Sequence, residues 1–244
     1  MNVILCVRGD DMIRLCSFDV WNTLLDLDEM LKLFAESLSE LMNISDKEIF
    51  RRLMNVRGRI KEERKKGVVP ATEVLEYSQN LLAQSLGVDV EIVKRAAAKA
   101  TLKTNERIIL RGVKETLRNL KERGFRIVAL GNVMLWPSAY SRMILEAEGI
   151  SDYIDKQFYS DELNTYKPMR DMFLKPLKEF SIKPYEAIHV GDTKAEDYEG
   201  ALKAGLYAAW ISPKSEMKRI SERGFVIPSI SEMEKVLEEI ERRE

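Results

Sequence analysis

Three apolar, strand-length runs in this chain end in the same way. Ile13 to Phe18 stops at Asp19, Phe125 to Leu130 stops at Gly131-Asn132, and Ala187 to Val190 stops at Gly191-Asp192. Short apolar runs bounded by turn residues read as buried strands. Helical patterns fall between and after them: Val113 to Arg123 before Gly124, Tyr140 to Glu148 before Gly149, Met169 to Phe180, and Glu196 to Lys203 before Gly205. Pro176 should kink the third of these or reset its start. Further strands are expected at Lys156 to Tyr159 and Leu206 to Ile211. Ser231-Glu232-Met233-Glu234 reads as a capping box that opens a last helix to about Ile240. Alternating strand and helix is the pattern of an α/β fold built on a parallel sheet. Ligands of such sheets bind beyond the carboxyl ends of the strands. Asp19, Gly131-Asn132 and Gly191-Asp192 are therefore expected along one edge.

Between the first run and Asn105 the periodicity is helical throughout. Leu31, Phe34, Leu38, Leu41 and Met42 make one stripe. Ser45-Asp46-Lys47-Glu48 reads as a capping box before Ile49, Leu53, Val56 and Ile60. A third stretch is expected from Pro70 to Gly87 and a fourth from Asp89 to Thr104. Four helices without a strand signal read as a separate helical lobe. It begins a few residues after Asp19, so it should sit over the same edge.

At 244 residues, with 45% apolar and 32% charged residues, the chain has a soluble globular profile. A formal net charge of −1 gives no basis for binding nucleic acid or a membrane surface. No apolar run approaches the roughly 18 residues that span a bilayer. Met1 to Val7 lacks a basic leader region and a small-residue cleavage site, so no signal peptide is read. Residues 1–11, ahead of Met12, read as an extension of little consequence. Cys6 and Cys16 are expected to be buried free thiols rather than a disulfide, and two Cys with one His leave no zinc site. A cytoplasmic location is the expectation.

Four stretches carry the chemistry: Ser17-Phe18-Asp19-Val20-Trp21-Asn22-Thr23-Leu24, Ala129-Leu130-Gly131-Asn132, Tyr166-Lys167-Pro168, and His189-Val190-Gly191-Asp192-Thr193-Lys194-Ala195-Glu196-Asp197. Singly they are weak signals, because turns after strands favour Gly and Asp. In this order, with three of them ending strands, they resemble the haloacid dehalogenase-like superfamily of hydrolases. The resemblance covers residues 12–26 and about 107–210. It implies a Rossmann-like parallel sheet with helices on both faces, formed by residues 1–26 and 106–244, and an inserted all-α cap over residues 27–105. The activity it implies is a Mg²⁺-dependent phosphatase acting on a small phosphorylated molecule. An aspartate attacks phosphorus only when held in line and relieved of charge repulsion. Mg²⁺, a hard cation with oxygen ligands, supplies that relief. By resemblance Asp19 is nucleophile and metal ligand, the backbone carbonyl of Trp21 a second ligand, and Asp192 a third. Lys167 would neutralise the phosphoryl oxygens, and Gly131 and Asn132, with the following amide, would hold one of them. Asp197 would stand behind, orienting Lys167 or a water of the ion.

The chain departs from the family pattern twice. Trp21 stands where phosphatases of the family carry a second aspartate, which protonates the leaving alcohol. Gly131 stands where Ser or Thr is usual as a donor to phosphate. Both departures support an alternative, a metal-free 2-haloacid dehalogenase in which Asp19 displaces halide, a leaving group that needs no proton. A non-catalytic binding protein of the same fold is a third reading. His189 is expected inside the core. Trp21 reads as a lid or a hinge contact. Asp26 and Asp28 flank the hinge and are alternative proton sources. The basic stretch Arg57 to Lys66 reads as a solvated helix face, the alternative being a reach toward an anionic substrate.

Overall fold

The computed structural model describes residues 12–242, so the expected extension and Cys6 lie outside the described residues. Strand β1 (Leu15–Phe18) opens the chain's order and is followed by four helices, α1 (Leu27–Met42), α2 (Asp46–Lys65), α3 (Val74–Leu86) and α4 (Val90–Leu102). The elements then alternate: α5 (Val113–Glu122), β2 (Arg126–Gly131), α6 (Ser138–Ala147), β3 (Lys156–Tyr159), the single turn α7 (Ser160–Leu163), α8 (Arg170–Glu179) and β4 (Ala187–Gly191). After them come α9 (Glu199–Ala204), β5 (Tyr207–Ile211), the hairpin β6 (Lys218–Ser221) and β7 (Gly224–Ile227), and α10 (Met233–Glu241).

The strands form one seven-stranded sheet in the order β3-β2-β1-β4-β5-β7-β6. Every pairing is parallel except the edge pair β6–β7. Alternate residues of each strand face opposite sides, which is why the apolar runs are continuous. Cys16, Phe18, Ile127 and Ala129 pack on one side with Leu117, Leu120, Val236 and Leu237 of α5 and α10. Leu15, Val128, Leu130 and Ala208 pack on the other with Met172, Phe173 and Leu177 of α8 and Ala201 of α9. Cys16 is a buried free thiol, and burial pushes it up to about 12, out of reach of thiolate chemistry at neutral pH.

From β1 the chain winds outward through β2 and β3, then returns to β4 on the other side of β1. The crevice between β1 and β4 is therefore the topological switch point, the place where such sheets bind ligands. Register fixes what meets there: Phe18 pairs with Ala129 of β2 and with Val190 of β4. Asp19 thus emerges level with Leu130 and Gly191.

Several local expectations resolve differently. Neither capping box forms: Ser45 makes no side-chain cap bond, and α10 starts only after a 3₁₀ turn at Ile230–Glu232. Residues 70–73 form a turn, and α3 begins at Val74. Pro176 stays inside α8, which runs unbroken over its span. The helix expected from Glu196 starts as a π-helical turn, Lys194–Tyr198, before α9. The hairpin β6–β7 had no counterpart in the sequence reading, because β6 is a polar and largely exposed edge. The four helices share apolar packing with the sheet. Phe34, Leu38, Leu53 and Ile60 belong to the same apolar cluster as the α5 side of the sheet, bridged by Leu24, Leu135 and Trp136.

Candidate active site

The ends of β1 and β4, the segment before α8 and the turn before α9 deliver polar groups to the β1–β4 crevice. Asp19, one residue beyond β1, is 8% exposed and its Oδ1 lies 2.5 Å from Lys167 Nζ. Lys167 is 1% exposed, follows a buried Tyr166 and precedes a cis-bonded Pro168. Its ammonium also lies 2.7 Å from Asp197 Oδ1. Asp197 comes off the π-helical turn, whose wider winding carries its side chain back over the end of β4. A Cβ added to Gly191 would sit 2.3 Å from the Asp197 carboxyl carbon, so glycine there is what lets the two approach. Both Asp197 oxygens are committed: Oδ2 accepts the Thr193 amide at 2.9 Å, and Oδ1 faces Lys167 and His189 Nε2, the latter at 3.2 Å. His189 is fully buried and its Nδ1 lies 2.9 Å from the Ser17 hydroxyl, a cross-strand partner in register.

Asp192 completes the group. One ligand oxygen from each of Asp19, Asp192 and Asp197 falls within 4.8 Å of the others. Asn22, in the left-handed region at φ 62°, donates to Asp192 Oδ2 at 3.1 Å, and the Trp210 indole donates to the Asp192 carbonyl at 2.9 Å. Asn tolerates that backbone region because its side chain bonds locally; here its Oδ1 also accepts the Leu27 amide at 3.3 Å, which ties the site to the start of α1. The electrostatics follow the crowding. Burial raises the Asp19 carboxyl, opposed by Lys167 and reinforced by Asp197 and Asp192. Burial and Asp197 raise Asp192, and Asn22 counters them. Burial opposes charge on Asp197 too, but Lys167 and His189 hold it below the usual carboxylate range. Lys167, against burial, is held above its ordinary value by Asp19 and Asp197. Burial depresses His189 to about 4, which keeps it neutral. Three carboxylate oxygens in a small space, with one ammonium among them, form a donor set suited to a hard divalent cation.

The structure places the expected phosphate-holding pair, Gly131 and Asn132, beside Lys167. Asn132 Oδ1 accepts the Lys167 amide at 2.9 Å, and its Nδ2 donates to the Lys167 carbonyl at 3.0 Å and to Glu196 at 2.9 Å. Its side chain thereby locks the Lys167 backbone. The amide after it, Val133 N–H, donates to the buried Ser160 hydroxyl at 2.8 Å. Gly131 is glycine for a packing reason: a Cβ would meet the ring of the fully buried Tyr159 at 2.7 Å. That ring fills the place of a Ser or Thr side chain.

Above this floor lies a cleft of about 90 Å³. Its walls are Trp21, Leu27, Met134, Leu135 and Trp136, and its roof is one face of α2, Arg57, Lys61 and Arg64. Trp21 packs edge-on against Trp136 with centroids 5.2 Å apart, and Trp136 against Phe34 of α1 at 6.0 Å. Arg64 is buried, stacks over Tyr166 at 4.8 Å and approaches Glu196 at 3.6 Å. The basic stretch thus divides: Arg59 turns away into solvent beside Glu63, while Arg57, Lys61 and Arg64 look into the cleft. Sequence reading passed over Asn22, Glu196 and Tyr159. Asn22 alone left a trace, in the preference of Asn for turns.

Residues 13–205 match the haloacid dehalogenase-like hydrolases. The chain belongs to this family. It is 32% identical to a glyceraldehyde 3-phosphate phosphatase of Pyrococcus furiosus over 134 residues, 54% of either chain. It is 26% identical to one of Methanopyrus kandleri over 214 residues, 80% of this chain and 82% of that one. The chain therefore spans about half the length of the first relative. The fold is that of a haloacid dehalogenase-like hydrolase of Bacillus subtilis, solved with magnesium bound, at a TM-score of 0.74 and 20% identity over 93% of this chain and 99% of that one. Among the described residues no helix is long and apolar enough to cross a membrane.

Proposed function

We propose that the chain is a magnesium-dependent phosphatase that hydrolyses a small phosphorylated metabolite through a phosphoryl group carried on Asp19. The observation that carries this reading is the buried cluster in which Asp19 meets Lys167 at 2.5 Å and offers an oxygen within 4.8 Å of Asp192 and Asp197. The phosphatase names of the relatives support it.

Asp19 Oδ attacks phosphorus, an O–P bond forms, and the ester P–O bond breaks with its electron pair on the leaving oxygen. Water then attacks the same phosphorus, and Asp19 is released as carboxylate. Lys167, fixed by Asn132 and Asp197, offsets charge on the phosphoryl oxygens without having to reorganise. Asp19, Asp192 and the Trp21 carbonyl would hold Mg²⁺, which when bound neutralises the charge that separates carboxylate from phosphate. Trp21 has no transferable proton, so the leaving oxygen takes its proton from solvent. That absence costs on the order of 10²–10⁴ in rate for a poor leaving group. Trp21 also keeps the dehalogenase reading alive, but halide displacement needs one carboxylate and this crevice gathers three. A location in the cytoplasm is part of the same reading.

The test is phosphate release from a panel of phosphorylated metabolites, run beside halide release from 2-haloacids, each with Mg²⁺ and with EDTA. Phosphate release that EDTA abolishes is expected. Halide release indifferent to EDTA would overturn the proposal.

A further inference from the structure

The side chains of the loop after β2 have little left for a substrate. Gly131 has no side chain and Tyr159 fills its space; the Asn132 side-chain carboxamide is spent on Lys167 and Glu196; the Val133 N–H is spent on Ser160. Cations instead face the same cleft from above. Arg57, Lys61 and Arg64 are spaced i, i+4 and i+7, one stripe of α2 beside its apolar seam of Val56 and Ile60. Of the three, Arg64 is already engaged by Glu196, Tyr166 and the Lys167 carbonyl. Arg57 is half-buried yet has no hydrogen bond or ion pair among the described residues, and the charges that act on it are Asp28 and Asp192. Lys61 is exposed at the cleft mouth and equally unpaired.

The charges sort accordingly. On the floor Asp19, Asp192 and Asp197 face Lys167 and a site for a divalent cation, which together balance. Glu196 and Arg64 balance each other. Arg57, toward which Asp28 also acts, and Lys61 remain as the cations over the cleft without an ion-pair partner among the described residues, and their positive charge suits a phosphoryl anion.

We propose that the oxygens of the transferred phosphoryl group are held from the helical insert, by Arg57 and Lys61 of α2, in place of side-chain donors from the loop after β2. This rests on the phosphatase reading and says which residues serve it. Arg64 is a positioning residue: it ties α2 to Glu196 and to the Lys167 carbonyl, and so sets the height of the stripe above Asp19.

The test is calorimetric titration of the magnesium-loaded full chain with inorganic phosphate, beside kinetics on p-nitrophenyl phosphate. Arg57→Gln is expected to weaken phosphate binding by about tenfold or more, the worth of one charge-assisted hydrogen bond, and Lys61→Gln by less. Arg57→Lys should recover part of the loss. Arg59→Gln, on the solvent side of the same helix, should change nothing. KM for p-nitrophenyl phosphate should rise in step with the binding loss. An Arg57→Gln/Lys61→Gln double variant that binds phosphate as tightly as the parent would overturn the inference, as would a parent that binds none. It also falls if only ligands with a second anionic group feel the substitutions. Turnover indifferent to Arg57 and Lys61 leaves the function standing and removes this inference. Binding that depends on Arg57 without turnover of any phosphate ester does the reverse.

Discussion

The floor and the roof of the cleft are built to opposite rules. On the floor nearly every polar atom is spoken for: Lys167 between Asp19 and Asp197, Asp197 between Lys167, His189 and Thr193, and Asn132 clasping the Lys167 backbone. On the roof Arg57 and Lys61 stand over the cleft without hydrogen-bond or ion-pair partners among the described residues. A buried network repays its desolvation only when complete, so the floor is rigid before any ligand arrives. Unpaired cations at a cleft mouth stay solvated at little cost and gain a partner when an anion enters. Preorganised chemistry below and deferred recognition above is a division of labour that substitutions can break at either end.

The largest effect should come from the floor's nucleophile. Asp19→Asn removes the attacking oxygen and should cost roughly 10³-fold or more in turnover, read as phosphate release. Phosphate binding that depends on Arg57 should survive it. If Asp19→Asn also abolished that binding, floor and roof would be one unit rather than two. Next is Lys167→Met, which leaves the Asp19–Asp197–Asp192 carboxylates buried without their cation. A loss of about 3–5 kcal/mol at neutral pH is expected in urea unfolding. An unchanged midpoint would mean the floor network contributes nothing to folding.

His189 tests the same network through pH. Its folded value lies near 4, against 6.5 for the unfolded group. Between those values the unfolded chain binds a proton that the folded chain does not. Stability from keeping His189 neutral is therefore present above pH 6.5 and lost as the pH falls toward 4, by up to about 3 kcal/mol. Urea unfolding of the parent should steepen with acid across that window, and His189→Asn should flatten the dependence. Parallel curves would show that the imidazole does not report on the floor. The smallest expected effect is Gly131→Ser, whose Cβ meets the Tyr159 ring. A loss of about 1–3 kcal/mol is expected, partly recovered when Tyr159→Leu is added; full additivity would sink the packing explanation.

The floor was legible in the sequence and the roof was not, for a physical reason. Asp19 and Asp192 follow apolar runs, and parallel register puts the ends of paired strands on one edge, so local pattern and topology agree on where they meet. Nothing local fixes what a helix face looks at. Arg57, Lys61 and Arg64 are visibly one stripe in the sequence, but whether that stripe meets water or the crevice depends on how α2 docks against residues a hundred positions away. Asn132 shows a related limit: its place at the end of β2 was readable, but not that its side chain would bond the Lys167 backbone at both ends. Gly131 departs from the family pattern in a way that only Tyr159, from the neighbouring strand, explains.

The chain has three tryptophans: Trp21 and Trp136 stand in edge-on contact along the cleft wall, and Trp210 lies behind it with its indole on the carbonyl of Asp192, a cleft residue. Ultraviolet emission from the unlabelled molecule therefore comes from the place where binding happens. A ligand that enters the cleft should change the surroundings of Trp21 and Trp136, and a cation that draws on Asp192 those of Trp210. The protein carries its own optical gauge, and occupancy can be followed in real time without attaching a dye.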